Sequence, residues 1–291
     1  MITDKSAYDK MNIDAKTRVF GIIGNPVGHS LSPAMHNAAF KHLCINAVYL
    51  AFKVEQKDLR HAIDSIRALG IGGVNVTIPH KEAAVKSLDY LGYEAKMIGA
   101  VNTIVNKKGR LLGYNTDAYG FIKALKEDLR FDPRKKTVFI IGAGGAAKAA
   151  VFSLAMAGAR RVILTDKIDE RAMELACEAE LRTSCECLCL KTNSKGIKDL
   201  ILNSQLLVNA TPVGMKGSDP VVIDPSFLHK GLCVFDLVYN RDTRLIKISR
   251  WKAIKAAGGL NMLLHQGARA FELWTGKRAP IEVMRRAIYK R

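Results

Sequence analysis

The stretch TVFIIGAGGAAKAA, residues 137–150, decides the fold class of the second half of this 291-residue chain. An apolar run typical of a buried strand leads directly into a glycine-rich turn, and a helix of small residues follows. Gly142, Gly144 and Ala147 have the GxGxxA spacing of a dinucleotide-binding turn. There the first glycine permits the tight bend, the second lets a pyrophosphate approach the backbone, and the alanine lets the helix pack closely. The stretch therefore predicts a strand, turn and helix that bind a dinucleotide.

An acidic residue stands at the end of the next apolar run, RVILTD, where a dinucleotide site needs one. Asp166 follows Gly142 by 24 residues. A carboxylate there would accept hydrogen bonds from the adenosine ribose and repel a 2′-phosphate, so Asp166 favours NAD. Lys167 and Arg171 could instead pair with the 2′-phosphate of NADP, and Asp166 could be a solvated surface acid. The residues themselves leave both cofactors open.

Strands and helices alternate on both sides of this stretch. The predicted strands are RVFGIIG (18–24), AVYLAF (47–52), GVNVTI (73–78), TVFIIG (137–142), RVILTD (161–166), LLVNAT (206–211) and CVFDLV (233–238). Residues 100–115 predict a hairpin that turns at Lys108-Gly109, and the C-terminal segment is helical by pattern. Strands that are separated by helices imply right-handed crossovers and a parallel sheet. The chain is therefore predicted to be an α/β protein.

The net charge of +18 would attract nucleic acid, anionic membranes or anionic small molecules. The basic residues are mixed with acids, and their densest clusters lack the interleaved aromatic residues that are typical of nucleic-acid binding. The N-terminal sequence has no apolar stretch that could be a signal peptide, and Lys148 and four glycines interrupt the run 137–159. We expect a cytoplasmic protein with no nucleic-acid or membrane partner.

Six cysteines occur without a CxxC pair, so the sequence suggests neither a zinc knuckle nor a secreted disulfide scaffold. In CECLC, strand alternation would place Cys185, Cys187 and Cys189 on one face, where the three could gather thiolates. The preferred alternative is that they are small apolar residues of a buried strand. We therefore predict no metal site.

Polar residues after the strands of the first half indicate a second half-site. In GNPVGHSLSPAMHNAAF (24–40), Ser32 is predicted to be an N-cap and Pro33 the first helical residue. Ser30 has no such structural role, and two hydroxyls beside a helix N-terminus suit a carboxylate. Small polar residues also follow other strands: Asn75, Thr77, Asn102, Asn115, Thr116 and Asp117. Ligands of open α/β sheets bind at such strand ends.

Lys81, in GGVNVTIPHKE (72–82), stands among these groups. Neutral hydroxyls and amides suit a polyhydroxylated ring, whereas a lysine and a carboxylate suit proton transfer at the oxygen where hydride chemistry occurs. A lysine is mostly an ammonium at neutral pH, so Lys81 is suited to donate a proton to a carbonyl that is being reduced. Asp117 would hold this ammonium.

Together these motifs resemble the shikimate dehydrogenase family, including its quinate/shikimate members. The resemblance covers nearly the whole chain from Phe20 onward. Its motifs are GNPVGHSLSPAMHN, GVNVTIPHKE, IGAVNTI, GYNTDAYG, IGAGGAAKA, NATPVGM, FDLVYN and GGLNMLLHQGARAFELWTG. It implies reversible, NAD(P)-dependent reduction of 3-dehydroshikimate to shikimate in aromatic amino-acid biosynthesis. An NAD-dependent quinate/shikimate dehydrogenase of quinate catabolism is the alternative.

The resemblance also implies the roles of individual residues, with Lys81 and Asp117 as the catalytic pair. The implied substrate contacts are Ser30, Ser32, Thr77, Asn102, Tyr239 and Gln266. The cofactor contacts, together with Asp166, Lys167 and Arg171, are Gly142, Ala143, Gly144, Gly145, Ala146, Thr211, Met215 and Gly259. A nucleic-acid-binding protein that reuses the scaffold is a different hypothesis, and the intact set of lysine, aspartate and serines argues against it.

Two domains are implied, in a monomer or a homodimer. Residues 18–117 and 260–291 form the substrate-binding catalytic domain, to which the C-terminal helices return, and residues 118–259 form the Rossmann-like NAD(P)-binding domain. Residues 1–17 are an N-terminal extension outside the resemblance. The NADP-specific pattern has Asn-Arg-Thr after the second Rossmann strand, whereas this chain has Asp166-Lys167-Ile168. That acid is similar to the NAD-using quinate/shikimate members, so NAD is favoured over NADP.

Overall fold

The structure is a computed structural model that describes residues 13–192, 194 and 196–289. These residues divide into two compact units. One unit contains the described residues up to Thr116 and from Gln266 onward, and the other is Asp117–His265. Each is built on a six-stranded sheet, which confirms the predicted α/β class. No helix in the described part of the chain is long and apolar enough to cross a membrane.

The elements follow one another in this order. The strands are β1 (Arg18–Gly24), β2 (Ala47–Lys53), β3 (Gly73–Val76), β4 (Tyr90–Leu91), β5 (Thr103–Lys107), β6 (Arg110–Tyr114), β7 (Thr137–Ile141), β8 (Arg161–Asp166), β9 (Glu186–Lys191), β10 (Leu206–Asn209), β11 (Cys233–Asp236) and β12 (Lys255–Gly258). The helices are α1 (Ser32–His42), α2 (Leu59–Ala68), α3 (Tyr93–Ile98), α4 (Thr116–Leu129), α5 (Gly145–Met156), α6 (Asp169–Arg182), α7 (Ile197–Leu202), α8 (Arg244–Trp251), α9 (Leu260–Thr275) and α10 (Ile281–Tyr289).

The first unit has a mixed sheet with the strand order β2-β1-β3-β5-β6-β4. β1 pairs in parallel with β2 and with β3, so that Phe20 lies opposite both Tyr49 and Gly73. β5 is antiparallel to β3 and to β6. The predicted hairpin is present: β5 and β6 are joined by Lys108 and Gly109, whose φ angles are +54° and +86°. Positive φ at both central residues is the geometry of a tight two-residue hairpin turn.

The C-terminal helices return to the first unit, as predicted. α10 packs against α1. On α9, the indole N–H of Trp274 donates a hydrogen bond to the carbonyl of Ile104 in β5 at 2.9 Å. A Cβ atom at Gly73 would lie only 2.3 Å from Trp274 Nε1, so the close approach of the indole to β3 requires glycine there. The end of the chain thereby becomes part of the core beneath this sheet.

The second unit has a sheet with the strand order β12-β11-β10-β7-β8-β9. All of its strand pairs are parallel, which confirms the predicted parallel sheet. The sequence pattern missed α8 and β12. Thr243 caps α8 by accepting the N–H of Ile246, an ordinary threonine N-cap. The sequence of β12, Lys-Ala-Ala-Gly, lacks the β-branched residues that indicate strands.

The cysteines of CECLC are not all buried, so the interpretation as small apolar residues of a buried strand is wrong for Cys189. Cys185 and Cys187 are buried, whereas Cys189 is exposed. The strand that carries Cys187 and Cys189, β9, is the edge strand of its sheet. Within residues 13–192, 194 and 196–289, no group of three or more His, Cys, Asp and Glu residues could hold a metal ion.

His36 lies at the centre of an aromatic cluster in the first unit. Its ring stacks on Tyr49 with centroids 4.5 Å apart and lies 5.2 Å from Trp274. The side chain is fully buried, and neither ring nitrogen has a hydrogen-bond partner among the described residues. Burial lowers the pKa of His36 from 6.5 to about 3. The folded protein therefore holds His36 as a neutral imidazole.

We expect His36 to make the first unit acid-sensitive. Because the pKa in the folded state lies below the unfolded value, stability is complete above pH 6.5 and is lost as the pH falls toward 3. The expected loss between pH 7 and pH 5 is about 2 kcal/mol. His36→Leu should remove this component. The measurement is urea unfolding at both pH values in a Trp251→Phe background, where Trp274 is the remaining tryptophan.

His42→Leu is the matched control, because His42 is an exposed histidine of the same helix. It should leave the pH dependence unchanged. An undiminished pH dependence in His36→Leu would show that other groups cause the acid sensitivity.

Candidate active site

Ser30 and Ser32 lie where β1 leads into α1. The helix begins at Ser32, and Leu31 occupies the N-cap position without a side-chain capping bond. The prediction that Ser32 is the N-cap is therefore wrong by one residue, and its hydroxyl caps nothing. Instead the N–H of Ser32 donates to Ser30 Oγ at 3.2 Å. Two serine side chains thus lie at the beginning of the helix, and that of Ser30 holds the backbone of Ser32.

A buried polar network extends from Tyr49 across the sheet. The hydroxyl of Tyr49 donates to Asn75 Oδ1 at 2.6 Å. The amide nitrogen of Asn75 donates to the carbonyl of Asn102 and to Thr103 Oγ1, both at 3.1 Å, so its oxygen must be the acceptor. Burial raises the pKa of Tyr49 well above its ordinary value, and a hydrogen bond with Ser32 acts in the opposite direction. The backbone of Tyr49 also bonds the side chain of Asn37 in α1, so Tyr49 joins α1 to β3.

Asn102 is the junction of this network. Its Oδ1 accepts hydrogen bonds from the backbone N–H of Thr116 at 2.7 Å and from the hydroxyls of Thr116 and Thr103, each at 3.1 Å. Its Nδ2 donates to Gln266 Oε1 at 3.3 Å, across 164 residues of sequence. Two predicted substrate contacts, Asn102 and Gln266, are thus brought together in the first unit.

The segment between β3 and the next turn carries Thr77 and Lys81. Thr77 N–H donates to the carbonyl of Ile23 at 2.9 Å, and the carbonyl of Lys81 accepts the N–H of Val101 at 2.8 Å. His80 is 1% exposed, and its Nε2 lies 2.8 Å from the carbonyl of Val54. Because a carbonyl can only accept, Nε2 carries the proton of His80. The buried histidine anchors the segment and places Lys81 at a half-buried position beside it.

Asp117 lies in the first turn of α4, directly after Thr116. Its side chain is 8% exposed. A carboxylate in the first helical turn is stabilised by the positive end of the helix dipole. The backbone N–H of Thr116 is hydrogen-bonded to Asn102, so the backbone directly before Asp117 is fixed. The pairing of Asp117 with Lys81 stays a prediction.

The glycine turn of the second unit has the predicted geometry. Gly142 has a φ of +105°, and a Cβ atom there would lie 2.9 Å from the carbonyl of Ala210. Both observations require glycine. Gly144 is the N-cap of α5, which begins at Gly145. The first N–H groups of that helix have no helical acceptor, which suits a phosphate.

Asp166 is fixed to the glycine turn. Its Oδ2 accepts the N–H of Ala143 at 2.7 Å, and its Oδ1 accepts the N–H of Ile168 at 2.9 Å. Sequence spacing predicted the acid but not this bond. Lys167 and Arg171 are exposed on the same end of the sheet. Each carboxylate oxygen has two acceptor positions, so Asp166 retains capacity for a ribose hydroxyl.

The remaining predicted cofactor residues follow β10 and β12, and the predicted substrate contact Tyr239 follows β11. Thr211 Oγ1 donates to Asn209 Oδ1 at 2.7 Å, which holds the loop that leads to the half-exposed Met215. Tyr239 is 39% exposed after β11. A Cβ atom at Gly259 would lie 2.4 Å from the carbonyl oxygen of Leu237, so the backbone approaches too closely for any other residue.

Asp236, at the end of β11, holds both loops and was not singled out from the sequence. It is fully buried, and burial raises its pKa. Its carboxylate accepts from Thr243 Oγ1 at 2.7 Å, Asn209 Nδ2 at 2.9 Å and Val238 N–H at 3.0 Å. The sequence signal was a charged residue within an otherwise apolar strand, because such a residue must find partners inside the protein.

Comparisons with known proteins agree with this geometry. Residues 22–104 match the family model described as the shikimate dehydrogenase substrate binding domain, and residues 259–289 match the shikimate 5′-dehydrogenase C-terminal domain. The chain is 46% identical over 281 residues to the shikimate dehydrogenase (NADP(+)) of Methanopyrus kandleri. The aligned region covers 96% of this chain and 97% of that relative. The chain belongs to the shikimate dehydrogenase family.

Solved structures show the same relationship. The crystal structure of shikimate 5-dehydrogenase from Listeria monocytogenes in complex with shikimate and NAD has a TM-score of 0.90 at 36% identity and covers 95% of this chain and 98% of that chain. The structure of quinate dehydrogenase from Corynebacterium glutamicum in complex with NAD has a TM-score of 0.88 at 31% identity, with 94% and 99% covered. Both shikimate and quinate dehydrogenases therefore share the fold.

Tyr49, which bonds Asn75 in the polar network, was also not singled out from the sequence. In AVYLAF it occupies a position typical of an apolar core residue. The available signal was its hydroxyl, since a buried tyrosine hydroxyl usually has a hydrogen-bond partner.

Tyr49→Phe should destabilise the first unit, because it leaves the buried Asn75 Oδ1 without its donor. The expected loss in the free energy of unfolding is about 1–3 kcal/mol. Urea unfolding followed by the fluorescence of Trp274, in a Trp251→Phe background, measures it. Tyr114→Phe is the matched control: Tyr114 is half-buried in the same sheet, and its hydroxyl has no hydrogen bond among the described residues. Its expected change is below about 0.5 kcal/mol. Equal changes in the two variants would contradict a contribution from the Tyr49 to Asn75 bond.

Proposed function

We propose that this member of the shikimate dehydrogenase family catalyses the reversible, NAD(P)-dependent reduction of 3-dehydroshikimate to shikimate. The observation that carries the proposal is the network in the first unit that joins Tyr49, Asn75, Asn102 and Gln266. It holds hydroxyl and amide groups from distant parts of the chain in fixed positions. Such a set suits a ring with several hydroxyls and one carboxylate.

The predicted substrate contacts divide by chemistry. Ser30 and Ser32 are assigned to the carboxylate, since their hydroxyls lie at the beginning of α1, where the helix dipole favours an anion. Thr77, Asn102 and Gln266 are assigned to ring hydroxyls, for which neutral donors and acceptors are suitable. Tyr239 is assigned as a further substrate contact.

Proton transfer is assigned to Lys81. In the reducing direction its ammonium donates a proton to the carbonyl oxygen, which becomes the new hydroxyl, and in the oxidising direction the neutral amine takes that proton back. Asp117 supplies the negative charge that holds the ammonium. A bound nicotinamide supplies or accepts the hydride at the carbonyl carbon. The turn Gly142–Ala146 is assigned to the pyrophosphate, with Thr211, Met215 and Gly259 as further cofactor contacts.

The quinate/shikimate activity is the second candidate, because the quinate dehydrogenase of Corynebacterium glutamicum shares the fold at 31% identity. A site that bonds or excludes one ring hydroxyl can discriminate strongly between the two substrates. We favour shikimate because the identity to the Methanopyrus kandleri enzyme is higher, at 46%.

The activity is tested by following the absorbance of the reduced nicotinamide with shikimate or quinate, each with NAD and with NADP. We expect shikimate oxidation to have the highest kcat/KM. Lys81→Ala should lower kcat by about 10²–10⁴-fold, because it removes the proton donor. The dissociation constant for the dinucleotide should stay within about twofold of wild type.

Lys107→Ala is the control, because Lys107 is an exposed lysine in the same unit and should leave all parameters unchanged. A near-normal kcat in Lys81→Ala would remove Lys81 from the mechanism. No oxidation of either substrate by folded protein that binds dinucleotide would refute the proposed activity.

For the cofactor we favour NAD, since Asp166 stands where it would repel a 2′-phosphate. The relative from Methanopyrus kandleri is named for NADP(+), and the Listeria monocytogenes structure holds NAD, so the family uses both. Asp166 also has a second role, because its carboxylate holds the N–H of Ala143. The two roles can be separated by substitution.

Asp166→Asn and Asp166→Ala should both raise the ratio of kcat/KM for NADP over NAD by roughly tenfold, because both remove the charge. Asparagine retains an oxygen that can accept the N–H of Ala143, whereas alanine does not. Absolute affinity for both dinucleotides should therefore fall in Asp166→Ala alone. Steady-state kinetics and dinucleotide titrations measure the two effects. An unchanged ratio in both variants would mean that the carboxylate does not face the ribose.

A further inference from the structure

A surface groove with a volume of about 620 Å³ lies in the first unit, and none of its lining residues belongs to the candidate active site. One wall consists of Lys57, Arg60, Asp64 and Arg67, on α2 and on the 3₁₀ turn before it. These positions recur at helical spacing and share one face. The other wall is the 3₁₀ helix Ala83–Ser87 and the residues after it.

One of the four basic side chains in the groove is already neutralised. Arg67 binds Asp89 through two contacts, Nη1 to Oδ2 at 2.6 Å and Nη2 to Oδ1 at 3.3 Å. Its Nη1 also donates to the carbonyl of Gly109 at 2.6 Å. The hydrogen bonds from Arg67 hold the pKa of Asp89 below its ordinary value. This pair ties α2 to the β5–β6 hairpin and has a structural role.

The other basic side chains of the groove differ from Arg67. Lys57, Arg60 and Lys86 line the groove without a hydrogen bond or an ion pair to any described residue. Of the two acidic residues among the described lining residues, Asp89 is bound by Arg67 and Asp64 has no hydrogen bond or ion pair. The groove therefore holds an excess of positive charge on a concave surface, where the field of like charges is concentrated.

We propose that this groove binds a small organic polyanion, a molecule with two or more phosphate or carboxylate groups, at a site separate from the dinucleotide turn. Lys57 and Arg60 stand on one wall and Lys86 on the other, so anionic groups at two ends of one ligand contact both walls. Leu59 and Leu88 also line the groove and suit a carbon framework between those groups. The volume of about 620 Å³ lies within the range of small-molecule sites.

The test is isothermal titration calorimetry on the full chain, with the dinucleotide site saturated by NAD or NADP. The probes are citrate, which carries carboxylates, and fructose 1,6-bisphosphate, which carries phosphates. We expect at least one of them to bind wild type with an affinity that falls as ionic strength rises. The relative affinity of the two probes assigns carboxylate or phosphate as the preferred group. Heat from neither probe would overturn the proposal.

Charge removal then locates the site. The triple variant Lys57→Gln, Arg60→Gln, Lys86→Gln should weaken binding by roughly tenfold or more. The matched control is Lys16→Gln, Lys107→Gln, Arg278→Gln, which removes the same charge at exposed positions of the same unit outside the groove. It should weaken binding by less than about twofold. Equal weakening in both variants would mean that net charge alone attracts the probe.

Asp64→Asn provides a test that misfolding cannot imitate. Removing the unpaired acid of the groove should tighten binding of the probe by roughly twofold to fivefold at low ionic strength. Weaker or unchanged binding in Asp64→Asn would overturn the proposal. If the triple variant does not fold, Lys86→Gln alone is compared with Lys107→Gln, and loss of affinity in the former only supports the groove.

Discussion

The side-chain amide of Asn102 holds the substrate half of this structure together. Its oxygen accepts donors from β5 and from the beginning of α4, and its nitrogen donates to Gln266 on α9. A buried amide that loses a partner costs about 1–3 kcal/mol, so Thr103, Thr116 and Gln266 are held together within the first unit. The position of Gln266 is therefore coupled to the loop that leads from β6 to Thr116. A shared hydrogen-bond junction explains why groups from opposite ends of the chain can form one site.

In the second unit, too, polar side chains at the strand ends hold the neighbouring loops through hydrogen bonds. Asp166 at the end of β8 holds the N–H of Ala143, and Asp236 at the end of β11 holds Val238, Thr243 and Asn209. Loops after parallel strands have no neighbouring strand to satisfy their backbone groups. A carboxylate at the strand end supplies those acceptors, and it does so most strongly when it is charged. Loop positions thus depend on a few buried or half-buried acids.

Local patterns in the sequence predicted most of the strands, because apolar runs between turn residues are short-range signals. RVFGIIG and RVILTD match β1 and β8 at both ends, whereas the run Lys255–Gly258 was missed since alanine and glycine do not indicate a strand. The motifs named Asn102 and Gln266 separately, but no periodicity reports a contact across 164 residues. Tyr49 and His36 were not distinguished from core residues, because burial of a polar side chain is a tertiary property. The Ser32 cap was wrong because helix boundaries depend on backbone angles that a preference for serine does not fix.

The hydrogen bond from Ala143 gives the carboxylate of Asp166 a structural role in addition to its predicted role in cofactor choice. From the sequence, Asp166 is predicted to favour NAD because its carboxylate would repel a 2′-phosphate. In the structure the same carboxylate stabilises the turn on which the pyrophosphate of either cofactor would rest. An acid that stabilises the turn is useful with either cofactor, so the presence of Asp166 alone does not decide between NAD and NADP. The decision then rests on the balance between the remaining acceptor positions of Asp166 and the exposed cations Lys167 and Arg171. The proposal for cofactor preference in this chain therefore has to consider Asp166, Lys167 and Arg171 together.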